Sequence, residues 1–388
     1  MGHGIRTVSV AERRRRLAVR HHLAPGERAG TAAAAAAGLV GLHGTDPASV
    51  YLAAWARTRE VDKAAIEDAL YEDRSLVRML GMRRTVFVVP AGLVPVIQAA
   101  CTDQIAERLR RQLAQRVEAA GIAPDGASWL KETGEATVRA LAARGVATGA
   151  ELARDEARLR AQITYAADKS YGGSANVTTR LLTLLSAEGL IVRGRPRGGW
   201  TSSQFTWTAA ADLDCPPAVA CLTCPALVSD LQWWTGLTAG QVRQALGQLE
   251  VTEVDLDGAP GVMLAADEPD LDALAAGGPE PWAALLPALD PTAMGWRERA
   301  WYVGEHGPAL FDRSGNIGPT AWWDGRIVGG WAQRQDGEIA VRLLEDVGTE
   351  AATAIAAEAG RLREWIGSDP KTRITPRFRT PLERELAS

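Results

Sequence analysis

The stretch that decides the fold is Ser174 to Trp207, SANVTTRLLTLLSAEGLIVRGRPRGGWTSSQFTW. Ser174-Ala175-Asn176 predicts a helix start, and Val177, Leu181, Leu182, Leu184 and Leu185 then recur at three- and four-residue spacing along one face. Gly189 ends the helix, because glycine accepts the left-handed cap conformation without a Cβ clash. LIVRGRPRGGW then reads as a strand entering a Gly/Pro turn, and SSQFTW as the returning strand. A helix followed by such a hairpin is the recognition helix and wing of a winged-helix module. Arg180 falls on the helix face opposite the leucines, while Arg193, Arg195 and Arg197 crowd the wing turn. When such a module docks on a duplex, those positions meet a groove and the flanking phosphates.

Working outward, the same order recurs. Apolar periodicity predicts helices over Val10 to His21, Thr31 to Leu42, Pro47 to Arg57 and Asp62 to Tyr71, followed by a strand, Thr85 to Val89, that Pro90 ends. Arg83 and Arg84 precede that strand, and alternation would send one toward DNA and the other toward solvent or a carboxylate. Helices over Asp103 to Ala120 and Trp129 to Ala143, then a short one capped by Thr148, lead into the deciding stretch. Beyond it, a helix from Leu237-Thr238 to Leu249 precedes the hairpin VTEVDLDGAPGVMLA, with Gly258 to Gly261 as its turn. Glu253, Asp255 and Asp257 make this hairpin acidic, so it reads as a packing module. From about Trp282 the chain is strand-rich, a small barrel or curled sheet closed by a helix over Thr349 to Ile366. The expected architecture is mainly α with α+β winged-helix modules: three tandem winged helices (residues 1–95, 96–210 and 211–280) and a C-terminal small β-barrel, closing helix and extended basic tail (281–388).

A net charge of −4 over 388 residues conceals an asymmetry. Residues 1–207 carry 29 Lys and Arg against 20 Asp and Glu, a net +9, and the remainder 14 against 27, a net −13. The first half is therefore suited to a polyanion, since basic side chains that neutralise phosphates release condensed counterions. The tail regains positive charge at Lys371, Arg373, Arg377 and Arg379. No apolar run is long enough to cross a bilayer, and MGHGIRTVSVAERRRRLAVRHHLAP lacks the apolar core of an export signal, so a cytoplasmic location is expected. Cys101, Cys215, Cys221 and Cys224 supply a lone CxxC, which cannot close a tetrahedral metal shell, so neither metal nor cofactor is expected.

Over nearly its full length the chain resembles the winged-helix superfamily containing the AlkZ and YcaQ DNA glycosylases of bacteria. The resemblance rests on GLVGLHGTDPASVYLAAWAR, MRRTVFVVP, the RGRPRGGW wing, LLPALDPTAMG and TPRFRTPLEREL. It implies a concave face for double-stranded DNA carrying alkylated purines, excision of those bases, including bulky adducts made by antibiotics, and a monomer. The family's signature, Gln, any residue, then Gln or Asp, falls here on His43-Gly44-Thr45. A neutral imidazole and a hydroxyl each accept and donate one hydrogen bond, so His43 and Thr45 can hold a water as the family's amides do. Asp46 before Pro47 reads first as a helix N-cap and second as a support of that site. Arg377 and Arg379 in the tail join Arg83, Arg84 and the wing arginines as expected DNA contacts. The competing reading is a non-catalytic winged-helix DNA-binding protein, either a regulator or a lesion-shielding factor, in which His43-Gly44-Thr45 is only a bend between helices.

Overall fold

In the computed structural model, which describes residues 5–165, 173–210, 225–369 and 372–388, the chain is a mixed α/β fold in which helices predominate and the sheets are small. It divides into two units, one comprising Met1–Ile66, Val88–Pro90 and Val219–Ser388, the other Glu67–Phe87 and Ala91–Ala218.

The second unit holds the deciding stretch. Helices Asp103–Ala119, Gly126–Arg144, Gly149–Asp155 and Val177–Ala187 bury Val117, Leu141, Leu152 and Leu181 in one core. Thr148 starts the third of these with a reciprocal capping box, its hydroxyl accepting from Glu151 N at 3.2 Å while the Glu151 carboxylate accepts from Thr148 N at 2.7 Å. The hairpin Ile191–Pro196 and Phe205–Ala209 is joined on its second strand by Ala147–Thr148, giving a three-stranded antiparallel sheet. Gly198 and Gly199 turn the hairpin at φ 91° and 89°, a region that favours glycine.

Two expectations change here. The helix begins at Val177, not Ser174, because Gly173–Asn176 forms a strand paired antiparallel with Gln162–Tyr165, which takes up the backbone groups a first helical turn would use. Arg83 and Arg84 do not lie on an alternating strand approach. They form a tight turn, Met82–Arg84, with φ 55° and 60°, closed by Gly81 N–H donating to Thr85 O at 2.8 Å, and the strand starts at Val86.

In the first unit, the helix Val10–Arg20 opens on a Ser9–Glu12 capping box. A four-stranded sheet orders Arg6–Thr7, Val251–Leu256, Ala259–Leu264 and Ala226–Leu227, with Val8, Val254, Met263 and Leu271 beneath it. Its hairpin turns at Asp257-Gly258, φ 53° and 86°, rather than across Gly258 to Gly261; an Asp-Gly pair with both φ positive is the two-residue turn whose twist matches the strands. The C-terminal sheet is an antiparallel meander of Ala283–Leu286, Thr320–Trp323, Arg326–Gln333 and Ile339–Leu343, with Trp282, Trp322 and Trp331 fully buried. Helix Gly348–Ile366 packs on it, and the tail ends in a short helix, Pro381–Leu386, against strand Arg326–Gln333.

The helix expected over Thr31 to Leu42 is confined to Ala32–Ala37. Gly38 caps it, at a place where a Cβ would lie 2.6 Å from the Arg20 carbonyl oxygen, and Val40 at φ 66° turns the chain out of helical geometry. His43 therefore sits in a short strand, Leu42–His43, and not at a helix C-terminus.

Candidate active site

The elbow His43-Gly44-Thr45 links that strand to the helix Pro47–Arg57, all eleven residues of which are buried. Alanine and serine make this possible: small side chains let a helix run through the core without a polar face. His43 is 6% exposed, Gly44 is buried, and Thr45 is half-buried, so the elbow shows one hydroxyl-bearing residue at its rim with the imidazole beneath. Pro47 occupies the first helical turn, where its missing N–H costs nothing.

Asp46 is the cap that the sequence predicts, Oδ1 accepting from Ala48 N at 3.1 Å. Its Oδ2 accepts from the backbone N–H of Arg377 at 3.3 Å, so the C-terminal tail is tied to the elbow. Both carboxylate oxygens thus have a backbone donor.

At the far end of the same helix lies a polar cluster that sequence reasoning missed. Arg57, at the last turn of the buried helix, donates two hydrogen bonds to Asp290 at 2.6 and 2.9 Å and a third to the Thr292 hydroxyl at 2.9 Å. Neither charged side chain of this pair is exposed. His21 Nδ1 lies 2.8 Å from the Thr292 hydroxyl oxygen. Burial, reinforced by the Arg57 guanidinium, presses His21 well below its usual value, so the ring is neutral. Ser49 donates to the Ala288 carbonyl at 3.1 Å, fixing the middle of the same helix. The missed signal was the second Asp-Pro: Asp290-Pro291 repeats Asp46-Pro47, and Asp290 Oδ1 likewise caps its helix by accepting from Thr292 N at 2.9 Å.

The basic candidates fall into distinct settings. Arg195 is exposed and ion-paired with Glu67 and, at 3.0 Å, with Glu72, while exposed Arg197 pairs with Glu151 at 2.7 Å. The Thr148 backbone N–H and hydroxyl, with help from Arg197, hold the Glu151 carboxyl down at about 2. Arg193 lies over Phe205 at 4.9 Å and Trp207 at 5.7 Å. Arg84 is exposed, Arg83 and Arg180 are half-buried. Arg377 presents an exposed side chain and Arg379 pairs with Glu383 at 2.7 Å. Trp200 and Trp207 are buried, as packing residues are. Arg74 was missed: it clamps the hairpin through the Arg193 carbonyl at 3.3 Å and the Thr208 hydroxyl at 3.2 Å.

Among the described residues no cluster of three His, Cys, Asp or Glu could hold a metal ion, and no helix is long and apolar enough to cross a membrane. The CxxC of Cys221 and Cys224, together with Cys215 and Lys371, lies outside the described residues. No curated protein matches the chain. Among solved structures, the Streptomyces sahachiroi DNA glycosylase AlkZ shares its fold, with a TM-score of 0.66 and 20% sequence identity over 91% of this chain and 97% of that one. The family model for AlkZ-like DNA glycosylases matches residues 36–365, and the chain belongs to that family.

Proposed function

We propose that this protein is a monofunctional DNA N-glycosylase that hydrolyses the glycosidic bond of purines alkylated at N7 or N3, with His43 and Thr45 placing the attacking water. The observation that carries the reading is the elbow itself. The family's signature positions fall on two hydrogen-bonding side chains at the start of a fully buried helix that Asp46 caps.

The chemistry asks little of the protein beyond placement. An N7- or N3-alkylated purine is already cationic, so it leaves with the C1′–N bond pair and needs no strong general acid. The developing oxocarbenium at C1′ is met by a water oxygen, whose proton passes to the imidazole or to solvent. Thr45 at the rim and His43 beneath it supply an acceptor and a donor each. Asp46 keeps both in register without joining the proton transfer.

The same reading takes residues 1–95, 96–210 and 211–280 as three winged helices and 281–388 as the counterpart of a small β-barrel. Within residues 126–209 the order helix, strand, helix, strand pair, helix, hairpin, with the first strand joining the final hairpin, supports the second of these. Arg83, Arg84, Arg180, Arg193, Arg195, Arg197, Arg377 and Arg379 are the proposed phosphate and groove contacts of a monomer on duplex DNA, and bulky adducts made by DNA-alkylating antibiotics are within its proposed range. The test is incubation with a duplex carrying one N7-methylguanine, then alkali. A strand break at that guanine is the expected result; an intact strand, with this adduct and with a bulkier N7 adduct, rejects the reading.

A further inference from the structure

The run Arg13-Arg14-Arg15-Arg16 divides by helix face. Arg13 is buried with its guanidinium over the Trp301 ring at 4.1 Å, and Arg16 is buried against Asp267 at 2.5 Å, so both serve the core. Arg14 and Arg15 are half-buried on the other side, and the hydrogen bonds they make go to backbone carbonyls. Arg14 donates from Nε at 3.0 Å and again from Nη2 to Trp301 O, and Arg15 donates to Leu274 O at 3.2 Å. Neither has a carboxylate at ion-pair distance among the described residues. A guanidinium carries five N–H donors, so most of those on Arg14 and Arg15 have no protein acceptor.

Opposite them stands a hairpin turn. Strands Thr320–Trp323 and Arg326–Gln333 are joined by Asp324-Gly325, and Gly325 sits at φ 80° where a Cβ would collide with the Arg14 side chain. The glycine thus allows the turn to close on the helix, bringing Arg326, itself paired with Glu345, toward Arg14. Ala11, Arg14, Arg15, Trp323, Asp324 and Arg326 line a cavity of about 290 Å³ that opens to solvent. Burial first, and the Arg326 charge next, push Arg14 down from the usual arginine value, a sign that like charges have been gathered.

We propose that this cavity is a phosphate-binding site, in which Arg14 and Arg15 grip the oxygens of a phosphate with Arg326 facing them. Three guanidiniums against two carboxylates, Asp324 at the rim and the Glu345 that pairs with Arg326, leave a positive surplus that an anion relieves, and the forked donors match tetrahedral phosphate oxygens. The phosphate can be a phosphodiester of a DNA backbone or a free phosphate; only the first rests on the glycosylase reading, and the primary readout uses neither DNA nor activity.

The experiment compares thermal unfolding in sodium phosphate and in sodium chloride of matched ionic strength, for the wild type and for Arg14→Gln/Arg15→Gln. Arg15→Gln alone, which removes one hydrogen bond to a backbone carbonyl, covers the case in which the double variant does not fold. Salt dependence of binding to an undamaged duplex is measured alongside. The expected result is a phosphate-specific rise in the wild-type Tm that both variants reduce or lose. If the duplex salt slope also falls by about 1–2, the source is the DNA backbone; if the slope is unchanged, it is free phosphate. A phosphate response equal in all three proteins overturns the proposal, as does no phosphate response together with an unchanged slope.

Discussion

Asp46 Oδ2 accepts a hydrogen bond from the backbone N–H of Arg377 at 3.3 Å, joining the first turn of the buried helix to a residue 331 positions later in the chain. The other oxygen of the same carboxylate caps that helix. Replacing Asp46 by Ala removes both functions: the cap alone contributes about 1 kcal/mol. Asp46→Asn retains one acceptor oxygen and is expected to keep the cap but weaken the latch. Urea unfolding measures the first effect and trypsin cleavage after Arg377 and Arg379 the second. Cleavage at the same rate in wild type and Asp46→Ala would show that the tail is held elsewhere.

The cap was legible in the sequence because Asp-Pro before a small-residue run has a local cause. The latch was not, since it depends on a contact between sequence-distant backbone groups. The same division runs through the fold. The helix Val177–Ala187, its glycine-turned hairpin and the cap at Thr148 follow from periodicity and from local hydrogen bonding, and they are present. The alanine-rich helix ends at Gly38, and Val40 at φ 66° then turns the chain away, which no periodicity reports. Arg195 and Arg197 were legible as wing residues, but the carboxylates that pair with them, Glu67, Glu72 and Glu151, lie 46 to 128 residues away.

The Arg57–Asp290 pair is fully buried, so breaking it leaves one charge without its partner. Arg57→Ala or Asp290→Ala is expected to cost about 3–5 kcal/mol, whereas Arg57→Met combined with Asp290→Leu costs less than either. Equilibrium unfolding of the three variants checks the order. A double variant as unstable as the sum of the singles would mean that the two residues act independently.

His21 gives stability a pH dependence of known sign. Its folded-state pKa lies well below the unfolded 6.5, so the native state binds fewer protons, and stability is fully present above about pH 6.5 and declines as pH falls. The slope attributable to one such group is at most about 1.4 kcal/mol per pH unit. His21→Asn, whose amide can both donate to and accept from Thr292 but does not titrate, is expected to unfold with a shallower pH dependence between pH 6.5 and 5. Identical slopes would assign the acid sensitivity to other groups.

In the free protein the carboxylates of Glu67, Glu72 and Glu151 accompany the wing arginines. If the wing meets phosphates, DNA must displace them. Glu67→Gln/Glu72→Gln is expected to tighten duplex binding at low salt, and Arg195→Gln/Arg197→Gln to weaken it and lower the salt slope by about 1–2. Fluorescence anisotropy across a salt series reads both. Unchanged slopes in both variants would remove the wing from the DNA face.

The most direct test of the elbow is the single-turnover rate of base release from a duplex bearing one N7-alkylguanine, with enzyme in excess, for wild type, His43→Ala and Thr45→Ala. The account predicts that His43→Ala slows release by about a hundredfold or more and that Thr45→Ala slows it measurably, with duplex affinity unchanged in both. Release at the wild-type rate in both variants would contradict it and leave the elbow as a bend in the chain.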